Sequence, residues 1–319
     1  MIQAMKIRKI TGHIGAEITG VDLAGDLDAA TIKAIGDALD EHVAIYFRDQ
    51  HLTPADIERY VGWFGERLIH PYMQAVKGAT YVHQIRKLPD ETLNFGGTWH
   101  ADFTNLTTPG ATNSLYSLEV PDFGGETVIC NSTAAYEALS LGMKRMLENM
   151  NAWHGYSPEY KALYAIRKTE LKDQLQSAED LDVDGEDVLH PVIRSHPNTG
   201  RKSLFINPLF TLRFEDMSRA ESLPLLNQLY DHITRPEFCV RFGWEKNMLA
   251  SWDNRQSMHY AVNDYPGQRR VMNRCLTIDT ARPVGTAIGE IGSIPAVGLR
   301  GLEPGDIVDI HPRMGSKLS

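Results

Sequence analysis

The stretch Gly96–Asn105, GGTWHADFTN, begins the part of the chain in which β-type patterns predominate. Its aromatic and β-branched residues predict a strand over residues 98–104. On a strand, residues i and i+2 point to the same face, so His100 and Asp102 are expected to face one point in space. Taken alone, the pair is better explained as a strand histidine beside a carboxylate, because this spacing recurs by chance in many proteins.

Strand patterns continue almost to the end of the chain, and helical patterns are inserted between them. Further strands are predicted at residues 112–119, 126–131, 190–195, 202–207, 237–242, 247–252, 257–262 and 270–279. Helices are predicted at residues 132–150, 158–177 and 215–234, which are rich in good helix formers. Because strands and helices do not alternate one for one, a doubly wound parallel sheet is disfavoured. The predicted fold class is mainly β with inserted helices, in an antiparallel sandwich or barrel.

The chain before this stretch combines short elements with a long irregular segment. Short strands are predicted within residues 5–24, a helix at 28–40, a buried strand at 42–47 and a helix at about 54–65. Residues 66–97 have few periodic signals and hold several prolines and glycines. A segment of this kind in a folded domain is typical of a lid or binding loop.

The 319 residues show no compositional break, so we expect a single domain over residues 1–319. Within it, the loop or lid region covers about 66–97 and a helical insert covers about 132–180. A C-terminal extension covers about 283–319 and is rich in glycine and proline. It is expected to be either an arm that wraps around a second subunit or a mobile tail.

Composition excludes several classes of protein. The net charge is −9 and the basic residues are scattered, which argues against a nucleic-acid partner. The chain has three cysteines, Cys130, Cys239 and Cys275, which are far apart and form no CxxC motif. This spacing disfavours a disulfide framework and a structural zinc site. No leader pattern or run of about 20 apolar residues is found. We therefore expect a cytoplasmic protein without a membrane segment.

A second cluster changes the interpretation of His100 and Asp102. The stretch 251–261, SWDNRQSMHYA, places His259 in another predicted strand, and Arg270 follows in the next one. Two histidines and one carboxylate on one face of a metal form the facial triad of non-haem Fe(II) oxygenases, which leaves positions open for a co-substrate and O2. A guanidinium in a buried strand needs an anion, and a dicarboxylate co-substrate would supply one.

An ordered set of motifs along the chain resembles the taurine dioxygenase family, which includes the 2,4-dichlorophenoxyacetate dioxygenases. The motifs are His100-x-Asp102, the turn GGET at 124–127, WDNR at 252–255, His259, and Arg270 eleven residues later. The resemblance extends from Ile14 to Arg274. It implies a double-stranded β-helix, or jelly-roll, core and a dioxygenase that depends on Fe(II), 2-oxoglutarate and O2 and releases succinate and CO2.

The resemblance also implies roles for individual residues. His100, Asp102 and His259 would hold the iron, and Arg270 and Thr127 would bind the distal carboxylate of 2-oxoglutarate. His70 and Arg274 would meet an anionic head group of the substrate. The residues themselves leave open an ordinary ion pair for Arg274 and an ordinary lid histidine for His70. Homo-oligomers are common in the family, and the helices at 132–150 or 215–234 are candidates for such a contact.

Departures from the family indicate a substrate other than taurine. Gly96 stands where the taurine-specific members have an asparagine, and the stretch before Phe210 reads Asn207-Pro208-Leu209 instead of the family pattern. Loss of a polar partner and added space favour a larger, less polar organic acid that carries a carboxylate, sulfonate or sulfate. Gly96 and Phe210 are therefore predicted to line the substrate site.

Three alternatives remain at this stage. The chain could act on taurine itself, or the same three residues could form a zinc hydrolase. The hydrolase would have no obvious general base and no use for Arg270. The third alternative is a jelly-roll protein that binds a metal without catalysis. Asp253, Asn254 and Arg255 are expected to tie their strand to its neighbours through hydrogen bonds.

Overall fold

The structure is a computed structural model that describes residues 4–71, 73–158, 160–162 and 186–285. Most of its regular elements are strands, and five α-helices lie entirely within the described ranges. The strands are β1 (Lys6–Lys9), β2 (Ala16–Thr19), β3 (Ala44–Phe47), β4 (His83–Lys87), β5 (Gly110–Glu119), β6 (Thr127–Asn131), β7 (Asn151–His154), β8 (Val188–Pro191), β9 (Ile193–Ser195), β10 (Lys202–Leu204), β11 (Thr211–Phe214), β12 (Cys239–Phe242), β13 (Leu249–Asp253), β14 (Ser257–Ala261) and β15 (Arg270–Ile278). The helices are α1 (Ala29–His42), α2 (Pro54–Val61), α3 (Ser132–Glu137), α4 (Leu141–Leu147) and α5 (Arg219–Ile233).

Two antiparallel sheets form the core. The main sheet has seven strands in the order β1-β2-β3-β13-β5-β15-β4, and the second sheet has the order β12-β6-β14. Only the β2/β3 pair of these two sheets is parallel. Side chains from both sheets share one buried cluster, which includes Leu115 and Trp252 from the main sheet and Ile129 and Phe242 from the second. The core is a jelly roll, and the predicted fold class, mainly β with inserted helices, is confirmed.

Helices cover the outer side of the main sheet. Ile35 of α1 and Ile57 of α2 lie in one buried cluster with Ile45 and Leu249 of the sheet. α2 begins at the predicted position because Thr53 and Asp56 form a reciprocal capping box. The helices therefore fix the main sheet from outside and leave its inner face to the site.

Residues 98–104 were predicted to form a strand, and this prediction is wrong. They form turns, and His100 makes only an isolated bridge to His259. Phe103 has a φ of 54°, which no extended strand adopts. The backbone of Asp102 is bonded to the side chain of Asn254 instead of to a neighbouring strand. A side chain thus takes the place of strand pairing.

The helix predicted over 132–150 is also corrected, since it is two helices. α3 ends at Glu137, and Ser140 caps the start of α4 by accepting a hydrogen bond from the Met143 N–H. A serine inside a run of helix formers is a start signal when its side chain can bond the backbone ahead of it. The strand β7 follows α4 directly, so the predicted helical insert is partly β.

The segment 66–97, predicted to be an irregular loop or lid, contains the strand β4. β4 pairs with β15 along its whole length. Its buried residues are His83, Ile85 and Lys87. Because two of these three are polar, the segment lacks the alternation of hydrophobic and polar residues by which a half-buried strand is recognised.

Two predictions fall mainly outside the described residues. They are the helix at 158–177, beyond residue 162, and the C-terminal extension, beyond residue 285. The helix predicted at 215–234 is found as α5, which begins after the capping box of Ser218 and Glu221. None of the helices in the described ranges is long and apolar enough to cross a membrane.

Candidate active site

His100, Asp102 and His259 form a buried cluster inside the jelly roll. His100 and His259 are joined by an antiparallel bridge with N–H···O distances of 3.0 and 2.8 Å. Asp102 Oδ1 lies 3.7 Å from Nε2 of His100, and Oδ2 lies 3.5 Å from Nε2 of His259. The candidate ligand atoms of all three residues lie within 4.8 Å of one another. The structure therefore brings the three predicted metal ligands together although residues 98–104 are not a strand.

Both imidazoles present Nε2 to this cluster. His100 Nδ1 donates a hydrogen bond to the carbonyl of Thr98 at 2.6 Å, which leaves the Nε2 lone pair facing Asp102. Burial, and then the neighbouring His100, hold the pKa of His259 well below its usual value. A neutral imidazole with an exposed lone pair is the form that binds a metal.

The backbone of Asp102 is held by Asn254. The Asn254 Oδ1 accepts from the Asp102 N–H at 2.8 Å, and its Nδ2 donates to the carbonyls of Asp102 and Gly110 at 2.9 Å each. One buried side chain thus satisfies both backbone groups of Asp102 and joins this turn to the first residue of β5. The hydrogen-bonding role expected for Asn254 is confirmed.

The carboxylate of Asp102 is ionised because of its neighbours. Its Oδ2 contacts Nδ2 of Asn113 and Nη2 of Arg274, and Arg274 Nε donates to Asn113 Oδ1 at 3.0 Å. Burial raises the pKa of Asp102, but the positive charge of Arg274 outweighs this effect, so the net pKa lies well below its usual range. The cluster therefore offers two neutral nitrogen donors and one anionic oxygen donor, a set that fits Fe(II).

Arg270 carries the clearest signal of a missing partner in the described part of the chain. Its side chain is buried, and its Nε and Nη2 have no hydrogen-bond partner among the described residues. Burial lowers the pKa of Arg270, which means that the charge is poorly solvated there. A buried, unneutralised guanidinium fits a carboxylate ligand.

Thr127 of β6 lines the same cavity as Arg270, and Trp244 contacts both residues. The indole Nε1 of Trp244 donates to Thr127 Oγ1 at 3.0 Å, and the guanidinium carbon of Arg270 lies 5.7 Å from the centre of the Trp244 ring. Trp244 was missed at the sequence level, since a tryptophan just after a strand is typical of simple packing.

The strand β4 places two more basic side chains beside β15. In the strand register, Lys87 is opposite Arg270 and His83 is opposite Arg274. The Lys87 Nζ lies 4.6 Å from the centre of the Tyr265 ring. Burial, and then Arg274, lower the pKa of His83 to about 3, so this histidine is neutral. Neither residue was identified from the sequence, because β4 itself was not predicted.

A small cavity of about 30 Å³ opens beside the cluster. Its polar wall contains His100, Thr127, His259, Arg270 and Arg274. Its apolar wall contains Ile85, Phe95, Leu115, Trp252 and Ala261, with Gly96 at the edge. One space therefore joins the metal-ligand candidates, the unneutralised arginine and an apolar surface.

The four predicted substrate residues are placed differently. Gly96 and Arg274 line the cavity. His70 is buried outside the cavity lining, and its ring packs at 4.5 Å from His83. Phe210 packs against Tyr156 and Tyr160 and is not among the described residues that line this cavity.

Asp40, His196 and Asp253 form a second group of possible ligands. Both oxygens of Asp253 are already bonded to Arg255, at 2.8 and 2.7 Å, and His196 Nε2 lies 2.7 Å from Oδ2. A bidentate arginine neutralises the carboxylate, so this group is an ion-pair network and not a metal site. The expectation that Asp253 and Arg255 tie the strands together is confirmed.

Comparison with known proteins identifies the family. A sequence model of the family described as "Taurine catabolism dioxygenase TauD, TfdA family" matches residues 6–276. The chain belongs to this family. An alkylsulfatase of Acinetobacter baylyi is 36% identical over 275 residues, which cover 85% of this chain and 84% of that protein.

Two further proteins show the same relationship. An alpha-ketoglutarate-dependent sulfate ester dioxygenase of Pseudomonas putida is 35% identical over 283 residues, which cover 88% of this chain and 91% of that protein. The crystal structure of a taurine dioxygenase from Burkholderia xenovorans has a TM-score of 0.73 and 30% identity, and the match covers 89% of this chain and 93% of that one. The chain is therefore an enzyme, a dioxygenase that uses iron and 2-oxoglutarate.

Proposed function

We propose that His100, Asp102 and His259 hold the Fe(II), and that Arg270 and Thr127 bind the distal carboxylate of 2-oxoglutarate. The observation that carries this assignment is Arg270, a buried guanidinium without a hydrogen-bond partner for Nε and Nη2 among the described residues. A dicarboxylate neutralises this charge at one end and reaches the metal ligands at the other. The bound iron supplies the activation of O2 that no protein side chain can provide.

The residues of the chain bind, orient and shield. Thr98 fixes the His100 ring through the Nδ1 hydrogen bond, and Asn254 fixes the turn of Asp102. The aromatic wall of Trp252, 4.8 Å from the His259 ring, keeps water from one side of the ligands. In this arrangement the protein makes a dry pocket in which the co-substrate and substrate lie side by side.

We propose that the substrate is an alkyl sulfate ester. Two relatives support this, since their names describe an alkylsulfatase and a sulfate ester dioxygenase. The cavity agrees, because Arg274, whose Nη2 contacts Asp102, forms part of its polar wall, and Ile85, Phe95 and Leu115 offer an apolar surface for a hydrocarbon chain. Gly96 lines the cavity beside His100, where a Cβ would come within 3.3 Å of the His100 Cε1.

The reaction balances as an oxygenation followed by a cleavage. One atom of O2 is inserted into a C–H bond next to the ester oxygen, and the other oxidises 2-oxoglutarate to succinate and CO2. The product R–CH(OH)–OSO3⁻ then loses hydrogen sulfate as the carbon–oxygen bond to the sulfate breaks and the remaining hydroxyl becomes an aldehyde carbonyl. The chain needs no nucleophile for this cleavage, and none of the described residues that line the cavity is a serine or cysteine.

The test is an assay of coupled products. Protein purified without oxygen is given Fe(II), 2-oxoglutarate, O2 and hexyl sulfate, with taurine and phenoxyacetate in parallel reactions, and succinate, sulfate and aldehyde are measured. We expect one sulfate and one aldehyde per succinate with hexyl sulfate, and loss of all three products in His100→Ala but not in His51→Ala, whose side chain is exposed. Succinate formation coupled only to taurine or phenoxyacetate would contradict the proposal that the substrate is an alkyl sulfate ester. No succinate with any of the acids would contradict the proposed iron and 2-oxoglutarate site.

We also propose that the chain forms homo-oligomers in the cytoplasm. α4 and α5 support an oligomer because they expose the apolar residues Leu141, Met146 and Leu223. The three free cysteines support a reducing compartment. Light scattering of the purified protein tests the first proposal: a monomer at micromolar concentration would contradict it.

A further inference from the structure

Trp244 touches both groups assigned to the distal carboxylate of 2-oxoglutarate. Its indole Nε1 lies 3.0 Å from Thr127 Oγ1, and its ring lies 5.7 Å from the guanidinium carbon of Arg270. The residue is 8% exposed and follows β12, where Phe242 is paired with Thr127 in the strand register. The second sheet thus places Trp244 in contact with both Thr127 and Arg270, which line one cavity.

The hydrogen bond to Thr127 has only one possible direction. An indole N–H donates and never accepts, so Thr127 Oγ1 is the acceptor. The threonine hydroxyl then still has its own proton to donate. With a donor fixed on one side of the oxygen, this proton is directed away from the indole. Thr127 lines the cavity, where a bound carboxylate would accept it. Trp244 thereby prepares Thr127 to donate to an anion.

The contact with Arg270 is of a different kind. A guanidinium over the face of a tryptophan is attracted by the ring quadrupole, which lowers the cost of burying the charge without cancelling it. A carboxylate in the same place would form an ion pair and occupy the guanidinium. An aromatic partner leaves the charge of Arg270 available to a ligand.

We propose that Trp244 is a positioning residue that gives this enzyme its preference for a 2-oxo acid with a distal carboxylate. It acts through Thr127, whose hydroxyl it orients, and through Arg270, whose buried charge it supports. The inference rests on the proposed function, since it requires that Thr127 and Arg270 bind the co-substrate.

The test compares two 2-oxo acids by calorimetry in the absence of O2. 2-Oxoglutarate and pyruvate share the chelating end, but only the first has a distal carboxylate. For Fe(II)-loaded Trp244→Phe, which keeps an aromatic ring and removes the N–H, we expect the Kd for 2-oxoglutarate to rise about 3- to 10-fold, as for loss of one hydrogen bond. The Kd for pyruvate is expected to stay within about 2-fold, because pyruvate does not reach Thr127.

Three further variants separate positioning from packing. Trp63→Phe is the matched control, since Trp63 packs on Tyr60 in the cluster on the outer side of the main sheet, and we expect both affinities to be unchanged. In a Thr127→Val background, Trp244→Phe is expected to change the Kd for 2-oxoglutarate by less than about 2-fold, because the hydroxyl through which it acts is gone. Trp244→Leu, which also removes the ring under Arg270, is expected to lose more than Trp244→Phe.

The outcomes distinguish this inference from the proposed function. A wild-type protein that binds 2-oxoglutarate no more tightly than pyruvate would overturn the roles of Arg270 and Thr127, and this inference with them. A wild-type preference that Trp244→Phe retains in full would overturn this inference alone. Equal weakening of both acids by Trp244→Phe would do the same, because it would indicate a packing defect.

Discussion

Arg270 is expected to lower the stability of the free protein and to strengthen the binding of 2-oxoglutarate. A buried guanidinium that no carboxylate neutralises among the described residues destabilises the fold, because it has lost water without gaining an ion pair. If Arg270 binds 2-oxoglutarate as proposed, the distal carboxylate neutralises this charge. The same residue should therefore weaken the free protein and strengthen the complex.

The variant Arg270→Met tests this trade. Without co-substrate, we expect its free energy of unfolding to exceed that of the wild type by about 1 kcal/mol, because an apolar side chain of similar length replaces the unpaired charge. Its Kd for 2-oxoglutarate should rise about 30- to 100-fold while iron binding is kept. Urea unfolding and anaerobic calorimetry measure the two effects.

The control is Arg213→Met. Arg213 also lies over a tryptophan, with its guanidinium carbon 5.7 Å from the Trp153 ring, but it donates to the backbone carbonyls of Phe214 and Met217. We expect this variant to lose stability and to keep its affinity for 2-oxoglutarate. Loss of iron from Arg270→Met would contradict the assignment of Arg270.

Gly96 is a second residue whose backbone conformation and contact with His100 both affect the site. Its φ is +83°, and a Cβ built on it would lie 3.3 Å from Cε1 of His100. Gly96→Ala therefore adds backbone strain and pushes on a metal ligand. We expect a loss of stability of about 1 kcal/mol and an increase of about 5-fold in the Kd for Fe(II).

Gly78→Ala separates the two effects of Gly96→Ala. Gly78 has a φ of +85° and nothing within 4 Å of a built Cβ, so the variant adds the strain without the contact. We expect it to lose stability to a similar extent and to bind Fe(II) with unchanged affinity. Equal iron affinities of the two variants in a metal titration would show that the Gly96 contact is unimportant.

At the scale of elements, the sequence predicted the strands that pair through regular patterns and missed those that depend on distant side chains. The buried strands β13, β14 and β15 have continuous or alternating apolar residues and were found at the predicted positions within a few residues. β4 was missed because its buried face holds His83 and Lys87. Polar residues on a buried face are explained only by the site that they surround.

The turn that carries Asp102 shows the other limit of prediction. The spacing of His100 and Asp102 predicted that the two side chains face one point. They do come together, but from a turn and not from a strand. The turn depends on Asn254, which is 152 positions away in the chain. Local pattern contains no information on such a partner, whereas the ordered motifs of the family do.

Asn254→Ala tests the idea that this side chain replaces strand pairing. The variant leaves the Asp102 N–H and the carbonyls of Asp102 and Gly110 without their buried partner. We expect the free energy of unfolding to fall by about 2 to 4 kcal/mol and Fe(II) binding to weaken at least about 10-fold.

The control for this variant is Asn263→Ala. Asn263 is exposed and donates one hydrogen bond, to the carbonyl of Thr92 at 2.9 Å. We expect a change of less than about 0.5 kcal/mol and no effect on iron. Metal titration and urea unfolding report both quantities. Iron affinity retained in Asn254→Ala would mean that the turn holds its shape without the asparagine.

At the scale of the whole molecule, buried neutral histidines make stability depend on pH. His154 and His190 pack against each other outside the metal cluster, with ring centres 5.2 Å apart. Burial lowers the pKa of His190 to about 4, and burial followed by His190 holds the pKa of His154 well below its usual value. In the unfolded chain both histidines titrate near 6.5. Below that pH the unfolded state binds more protons than the folded state, so stability falls with falling pH.

The expected loss of stability at low pH follows from the lowered pKa of the two histidines. Each such histidine contributes stability that is complete above pH 6.5 and decreases by about 1.5 kcal/mol between pH 6.5 and pH 5, well before the folded state itself takes up a proton.

His190→Gln removes one of these groups and keeps a donor for the carbonyl of Leu106, which His190 contacts at 3.0 Å. Urea unfolding of metal-free protein across this pH range should therefore show a smaller slope in His190→Gln. The exposed His51, changed to glutamine, should leave the slope of the wild type unaltered. Equal slopes in all three proteins would show that His190 titrates normally in the fold, and the burial of this pair would then have no role in acid sensitivity.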